Sequence, residues 1–217
     1  VFFVIPKITR IFEDSEAALP FVTVVLLFVV NTLRGYWPFM LIATALIIFG
    51  VRYYKRTPAG KRVYDTILLR LPYFGKLLKT FYAATFARTL SSLLESGVPI
   101  LKALNMTSKV LNNSLFDDLI RKSIREITEG GSLSMSFKGT TLFPSLFVHM
   151  VSIGEKSGEL DGLLLKAADT YEGDFERSIT RALAIIEPVL IITMGIVVGF
   201  IVLAILLPIF QLNDLVV

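Results

Sequence analysis

Cysteine is absent from this chain of 217 residues, and His149 is its only histidine. The lack of cysteine excludes disulfides and thiolate metal sites and leaves the redox compartment open. A lone histidine in an apolar segment lacks the partners that a metal site or a Ser-His-Asp arrangement would need, so we expect His149 to be structural. The sequence therefore favours a protein that is not an enzyme and that holds no metal or cofactor.

Nucleotide-binding motifs are missing as well. Residues 154–157 superficially resemble the end of a phosphate-binding loop, but the Gly-x-x-x-x-Gly-Lys pattern is absent and no strand precedes them. No alternation of apolar and polar residues typical of strands continues for a useful length anywhere along the chain. We therefore expect an all-α protein that binds no nucleotide itself.

Charge is scarce: charged residues make up 18% of the chain and hydrophobic residues 54%, which is too apolar for a typical soluble protein. The last uncharged run extends from Pro188 to Asn213. As a helix it would reach about 39 Å, more than the roughly 30 Å of a hydrocarbon core. Residues 182–217 are therefore predicted to be a transmembrane helix with a short periplasmic tail.

A second apolar region lies near the beginning of the chain, where Arg34-Gly35 is the only interruption between two apolar runs. Because two residues can hardly reverse a span within lipid, we predict an interfacial or re-entrant apolar helix at 17–35 and a transmembrane helix at 36–54. A tight hairpin of two spans is the alternative. Residues 1–16 are predicted to be the end of a preceding membrane helix and a periplasmic segment, which indicates a part of a longer protein.

The middle of the chain is basic, with 19 basic and 13 acidic residues from Arg52 to Arg181. Basic residues next to apolar segments are retained on the cytoplasmic side, so residues 55–181 are predicted to be cytoplasmic. Anionic lipid headgroups explain the basic clusters better than nucleic acid does, because these clusters border apolar runs. The clusters comprise Arg52, Lys55, Arg56, Lys61 and Arg62 at one end, and Arg177 and Arg181 at the other.

Apolar residues at three- and four-residue spacing predict that the segment 55–181 is helical throughout. The turn at residues 97–99 ends one such helix, because Gly97 tolerates a left-handed cap and Pro99 suits the first turn of the next helix. Ser114 with Asp117 three residues later resembles a capping box that opens another helix. We expect a polytopic membrane protein with a cytoplasmic antiparallel bundle of about six helices.

The last helix of this bundle is predicted to continue into the membrane. A bend is expected at Glu187-Pro188, because proline removes a backbone donor and crowds the preceding turn. Glu187 at the membrane edge should face a helix neighbour or headgroups. Gly195 and Gly199 form a G-x-x-x-G motif, which would let another membrane helix approach closely.

The chain resembles the C-terminal half of a family of inner-membrane platform proteins, namely the F proteins of type II secretion systems and their type IV pilus counterparts. The resemblance covers essentially the whole chain, and its motifs together form a specific signal. They are Val4-Ile5-Pro6-Lys7-Ile8, Phe86-Ala87-Arg88-Thr89-Leu90, Ser96-Gly97-Val98-Pro99, Phe143-Pro144, Gly154-Glu155-Lys156-Ser157-Gly158-Glu159-Leu160, Glu187-Pro188, Gly199-Phe200-Ile201-Val202 and Leu207-Pro208-Ile209-Phe210.

The resemblance implies two homologous six-helix cytoplasmic domains linked by membrane helices, of which this chain contains the second. It implies a non-enzymatic platform in the bacterial inner membrane that connects a hexameric cytoplasmic ATPase to pilin or pseudopilin subunits. Other inner-membrane assembly-platform proteins and further copies of the chain, as a homo-oligomer, are the other implied partners. A membrane signalling or scaffold protein with a cytoplasmic helical bundle is the alternative, although the segment 6–35 is short for an external sensor.

Helix-end loops are the predicted partner-binding sites, since polar groups and freed backbone are exposed there. The candidates are Arg88, Glu95, Gly97 and Pro99 around one turn, and Glu155, Ser157, Gly158 and Glu159 around another. The alternative is that both turns only end helices and that Arg88 and Glu95 form a solvated pair.

Overall fold

All regular secondary structure in residues 20–215, the part of the chain that the computed structural model describes, is helical. The helices are α1 Phe21–Lys55, α2 Pro58–Arg70, α3 Phe74–Glu95, α4 Ile100–Leu111, α5 Ser114–Thr128, α6 Leu133–Phe137, α7 Ser145–Ser157 and α8 Leu160–Leu215. The predicted all-α class is confirmed. The predicted segment 1–16 lies outside the described residues.

The described chain divides into two compact units. The first, which we call the bundle, comprises Val51–Ala182 and therefore contains α2 to α7 and the beginning of α8. The second, which we call the apolar unit, comprises the described residues 20–50 and 183–215. The bundle corresponds closely to the predicted helical segment 55–181.

Consecutive helices of the bundle pack against each other from α2 to α7, and α2 also packs against α5. The apolar periodicity did not single out α2 as a separate helix. Its beginning is nevertheless marked in the sequence, because Thr57 Oγ1 accepts the Gly60 N–H at 3.1 Å and Pro58 occupies the first helical position.

The core of the bundle is built from phenylalanine rings. The ring of Phe143, on the connection between α6 and α7, has its centroid 4.6–5.2 Å from those of four others: Phe86 of α3, Phe116 of α5, Phe137 of α6 and Phe147 of α7. These four are fully buried. Because four helices each contribute a ring, large buried apolar area and aromatic pairs worth about 0.5–1.5 kcal/mol each hold them together.

One helix, α1, replaces the two segments predicted at 17–35 and 36–54. It continues through Arg34-Gly35 and Pro38. The predicted separation into two helices at Arg34-Gly35 is therefore wrong, and so is the alternative of a hairpin turn there. The physical reason is that a lone glycine is tolerated within a helix, and arginine is a good helix former. The interfacial or re-entrant position of this first segment stays a prediction.

Two helices, α1 and α8, are long and apolar enough to cross a membrane by length and composition. Only 6% of the most apolar stretch of each is buried, whereas the core helix of a soluble protein would be mostly covered. Many large apolar side chains of both helices are exposed. This exposure indicates that lipid is their solvent.

Candidate functional site

The turn between α7 and α8 contains three of the predicted site residues. Gly158 follows α7 with φ of +77°, a left-handed conformation that glycine adopts without penalty. Ser157 Oγ accepts the Glu159 N–H at 3.3 Å. A Cβ at Gly154 would lie 2.9 Å from Leu160 Cα, so only glycine permits the approach of the two helix ends. The small residues of this motif therefore set the geometry of the turn.

The Glu155 carboxylate caps the short helix α6. Its Oε1 accepts the Leu133 N–H, and its Oε2 accepts the Ser134 N–H at 2.9 Å. These backbone groups at the beginning of a helix have no intrahelical acceptor, and a carboxylate also complements the positive end of the helix dipole. Ser132 Oγ accepts the Met135 N–H at 3.2 Å. Glu155 thus connects α7 to α6.

Arg88 connects α3 to α8. Its Nε and Nη2 donate to the two carboxylate oxygens of Glu172 at 3.0 and 2.6 Å, and Nη2 also donates to Asp169 Oδ1 at 2.5 Å. The hydrogen bonds that Arg88 donates to Glu172, and then to Asp169, raise the pKa of Arg88 above its ordinary value. Bidentate pairs of this kind fix the geometry as well as the charge. The alternative pairing of Arg88 with Glu95 is therefore wrong.

The turn between α3 and α4 satisfies the backbone at the end of α3. Gly97, with φ of +75°, donates its N–H to the Leu94 carbonyl at 2.9 Å, and Val98 donates to the Leu93 carbonyl at 2.9 Å. This pair of bonds is the Schellman motif, which the glycine makes possible. Pro99 then occupies the N-cap position of α4, with φ of −54° and ψ of +138° and no side-chain cap hydrogen bond.

The structure brings these two turns to the same end of the bundle. Ser91 Oγ, one helical turn before the end of α3, donates to the Asp161 carbonyl in the first turn of α8 at 2.8 Å. Glu95, Ser157 and Glu159 are exposed polar side chains at this end, whereas Arg88 and Glu155 are half-buried by the contacts described above. We call the end formed by residues 95–99 and 157–159 the turn surface.

The chemistry available at the turn surface is acidic and hydrogen-bonding. Among the described residues, no group of three or more histidine, cysteine, aspartate or glutamate side chains could hold a metal ion. The exposed carboxylates of Glu95 and Glu159 can accept hydrogen bonds and attract cations.

In the apolar unit, Pro208 leaves one carbonyl of α8 without its helical donor. Proline has no N–H, so the carbonyl of Ala204, four residues earlier, cannot make the usual helical bond. Thr23 Oγ1 of α1 donates to this carbonyl at 2.8 Å, and Thr23, Leu26 and Ala204 are buried in the contact. Because an unpaired carbonyl in lipid is costly, this bond stabilises the pairing of α1 with α8, by about 0.5–2 kcal/mol.

No described residue packs against the two glycines of α8, Gly195 and Gly199. A Cβ at Gly195 or Gly199 would meet no atom within 4 Å. At 100° per residue, both glycines lie about 140–180° around α8 from Ala204, on the face away from α1. The helix continues through Glu187 and Pro188, and the bend predicted there stays a prediction.

Asp65 and Asn113 hold the beginning of α5 by contacts that the apolar periodicity does not predict. Asp65 Oδ2 of α2 accepts both the N–H and the hydroxyl of Ser114 at 2.8 Å, and Asn113 Oδ1 accepts the next two backbone N–H groups of α5. The predicted capping box is therefore wrong, since Asp117 accepts instead from Ser108 and Arg121. Asn113 is an N-cap residue of the preferred kind, and that signal could have found it.

The chain is similar to known proteins over nearly its whole length. Residues 86–208 match the family model described as type II secretion system (T2SS), protein F. The type II secretion system protein F of Pseudomonas aeruginosa is 38% identical over 99% of this chain and 53% of its own length. The type IV pilus assembly protein PilC of Thermus thermophilus is 38% identical over 96% of this chain and 52% of its own length. The chain thus spans about half the length of these curated relatives.

Proposed function

Because this chain belongs to the type II secretion system protein F family, we propose that it is part of a non-enzymatic platform in the bacterial inner membrane. The platform would serve type II secretion or type IV pilus assembly. The observation that carries the proposal is the match of residues 86–208 to the family, since it includes the bundle core and most of α8. Relatives named for secretion and relatives named for pilus assembly resemble the chain equally well, at 38% identity.

The platform would connect a hexameric cytoplasmic ATPase to pilin or pseudopilin subunits in the membrane. The basic excess of residues 55–181 supports a cytoplasmic bundle, and a periplasmic end of the chain after α8 follows if α8 spans the membrane. Because α8 is a single helix from Leu160 to Leu215, a tilt imposed at its beginning would reach the apolar unit. Through α8, cycles of the ATPase would therefore move the membrane helices that raise a subunit.

The turn surface is our candidate contact for the ATPase. It is exposed, two turns contribute to it, and its carboxylates are free of the structural contacts that occupy Arg88 and Glu155. Gly97, Pro99 and Gly158 would position these side chains, since they define the two turns.

A double charge reversal at the turn surface, Glu95→Lys with Glu159→Lys, is expected to reduce co-purification of the ATPase about five- to tenfold, as loss of exposed complementary charges does at other interfaces. The melting temperature should stay within a few degrees of the unmodified chain, because both side chains are exposed. Co-purification from membranes of the host that carries the ATPase measures the effect.

Glu176→Lys is the matched control, because Glu176 is also an exposed glutamate but lies within α8, about 25 Å along the chain from Glu159 at helical rise. Normal ATPase recovery with the double variant would refute the turn surface as the contact. Loss of recovery with Glu176→Lys as well would indicate a general charge effect and would also refute it. If the unmodified full-length protein failed to associate with the ATPase or to support secretion or pili, the platform function itself would be wrong.

Movement of α8 against α1 can be tested with a cysteine pair, because the chain has no native cysteine. The pair Thr23→Cys with Ala204→Cys lies at the buried contact of the two helices. Under oxidising conditions the cross-link is expected to slow secretion or pilus assembly at least about tenfold, and reduction should restore the rate. The Thr23→Cys single variant controls for the lost hydroxyl. Assembly at the normal rate with a complete cross-link would refute a moving α8.

The open face of Gly195 and Gly199 supports a second packing surface in the platform. We propose that it receives a membrane helix of a further copy or of another platform protein, since the absence of side chains allows close approach. Glu187 and Pro188 would then lie at the membrane edge of the same helix, where Glu187 faces a neighbour or headgroups.

A further inference from the structure

An exposed apolar corner lies where α2 meets α3. The side chain of Tyr73 is 92% exposed and that of Phe74 is 66% exposed, and Leu71 beside them is exposed as well. Two further exposed apolar residues, Val63 and Ile67, precede them on α2. Exposed apolar side chains this close together in sequence, outside the apolar unit, indicate an interaction surface. We call these five residues the corner patch.

The bundle holds α2 so that this patch faces outward. Asp65 and Leu69 are buried, and at 100° per residue they lie opposite Ile67 on the helix. Asp65 Oδ2 accepts two hydrogen bonds from Ser114, which fix the buried face of α2 to the beginning of α5. The exposed stripe is therefore a consequence of a well-anchored helix.

The backbone at the corner is strained in a way that presents Tyr73. This residue has φ of +63° and ψ of −57°, and the Phe74 N–H donates to the Pro72 carbonyl at 2.8 Å, which makes a γ-turn. Such a turn is rare for a residue with a bulky side chain. A Cβ at Gly75 would lie 2.3 Å from the Leu69 carbonyl oxygen, so the chain folds back tightly after the turn. Strain of this kind concentrates at functional sites.

The sequence on either side of the corner patch is mostly basic. From Arg52 to Leu94 the sequence has nine basic residues and one acidic residue, the buried Asp65. From Glu95 to Arg181 it has ten basic and twelve acidic residues. The basic excess of the bundle therefore belongs to α2, the beginning of α3 and the segment before them. Arg70 and Lys76, which flank the patch, are both exposed.

We propose that the corner patch is a lipid-binding surface that recognises anionic phospholipids. Leu71, Tyr73 and Phe74 would enter the boundary between headgroups and acyl chains, and Arg70 and Lys76 would bind lipid phosphates. Apolar and aromatic residues flanked by cations are the combination that binds a negatively charged membrane surface. An acidic partner protein would explain the cations, but it would not explain an aromatic tip held out by a strained turn. This role is independent of which machinery the chain serves.

The experiment uses a single reporter in the otherwise cysteine-free chain. Phe74→Cys, labelled with a polarity-sensitive fluorophore, is reconstituted in nanodiscs of phosphatidylcholine alone or with phosphatidylglycerol. We expect a blue shift only when phosphatidylglycerol is present, and no such shift in a variant that also carries Arg70→Glu and Lys76→Glu. Ile153→Cys is the matched control, because Ile153 is also an exposed apolar residue of the bundle, at 59% exposure.

A label at residue 74 that stays as polar as the label at residue 153 in anionic nanodiscs would overturn the proposal. A blue shift that persists in detergent, or that grows with the number of chains per disc, would indicate a contact between copies and would overturn it too. Ile67→Cys provides a second reporter on α2 if the label at residue 74 prevents folding. No ATPase or pilin is present in this experiment, so its outcome is separate from that of the platform proposal.

Discussion

A Phe147→Ala variant is expected to unfold with a free energy about 3–5 kcal/mol lower than that of the unmodified chain. The Phe147 side chain is fully buried, its ring stacks on Phe143 at 4.6 Å between centroids, and it also approaches Phe86 and Tyr171 at 5.9 Å. Truncation removes apolar contact area and leaves a cavity that neighbouring rings cannot fill. Because rings from four helices meet here, the whole bundle should lose cooperativity.

Thermal or denaturant unfolding in detergent, followed by near-ultraviolet circular dichroism, measures this loss. The control is Phe81→Ala, since Phe81 of the same bundle is 41% exposed and should lose less than about 1.5 kcal/mol. Equal losses for the two variants would contradict an aromatic core centred on Phe143. If the proposed platform function is correct, secretion or pilus assembly should fail with Phe147→Ala and persist with Phe81→Ala.

A Glu155→Lys variant is expected to lose about 2–4 kcal/mol of stability, because two charge-assisted hydrogen bonds to α6 disappear and an ammonium group meets the positive end of that helix. Glu155→Gln should lose about half as much, since its amide oxygen can still accept one of the two N–H groups. The melting temperature should therefore be highest for the unmodified chain, lower for Glu155→Gln and lowest for Glu155→Lys.

The glutamine variant also distinguishes two roles of Glu155, namely capping α6 and contacting the ATPase. Melting temperature and ATPase co-purification are measured on the same samples. If Glu155 only caps α6, recovery of the ATPase should follow the melting temperature through the series. Full loss of the ATPase with Glu155→Gln, at nearly unchanged stability, would contradict a purely structural role and would place Glu155 in the contact itself.

The turns at the ends of α3 and α7 could be predicted from sequence, because their signals are local. A left-handed glycine at Gly97 or Gly158, followed by Pro99 or by the start of α8, specifies a helix end within a few residues. The same locality misled the prediction at Arg34-Gly35, where an interruption of hydropathy was interpreted as an interruption of the helix. Helical backbone bonding continues through a charged residue and a glycine. An interruption of hydropathy therefore need not coincide with the end of a helix.

The partners of the charged and polar side chains could not be predicted. Arg88 is a predicted partner-binding residue near the turn at residues 97–99, but Glu172 and Asp169, with which it pairs, lie 84 and 81 residues away. Glu155 was expected at a partner surface, and its carboxylate instead caps a helix that begins 22 residues earlier. Pairings at such separations depend on which helices are neighbours, and no local pattern contains that information.

The helical class, the ends of most bundle helices and a lipid-compatible length for α8 follow from the sequence alone, because each depends on backbone preferences and hydropathy within one segment. Three features required the folded chain: the two turns form one surface, Thr23 pairs with the carbonyl freed by Pro208, and an aromatic corner faces outward at Tyr73. Each of these depends on helices distant in sequence coming together around buried phenylalanine rings or in an apolar contact, where an unpaired polar group is costly.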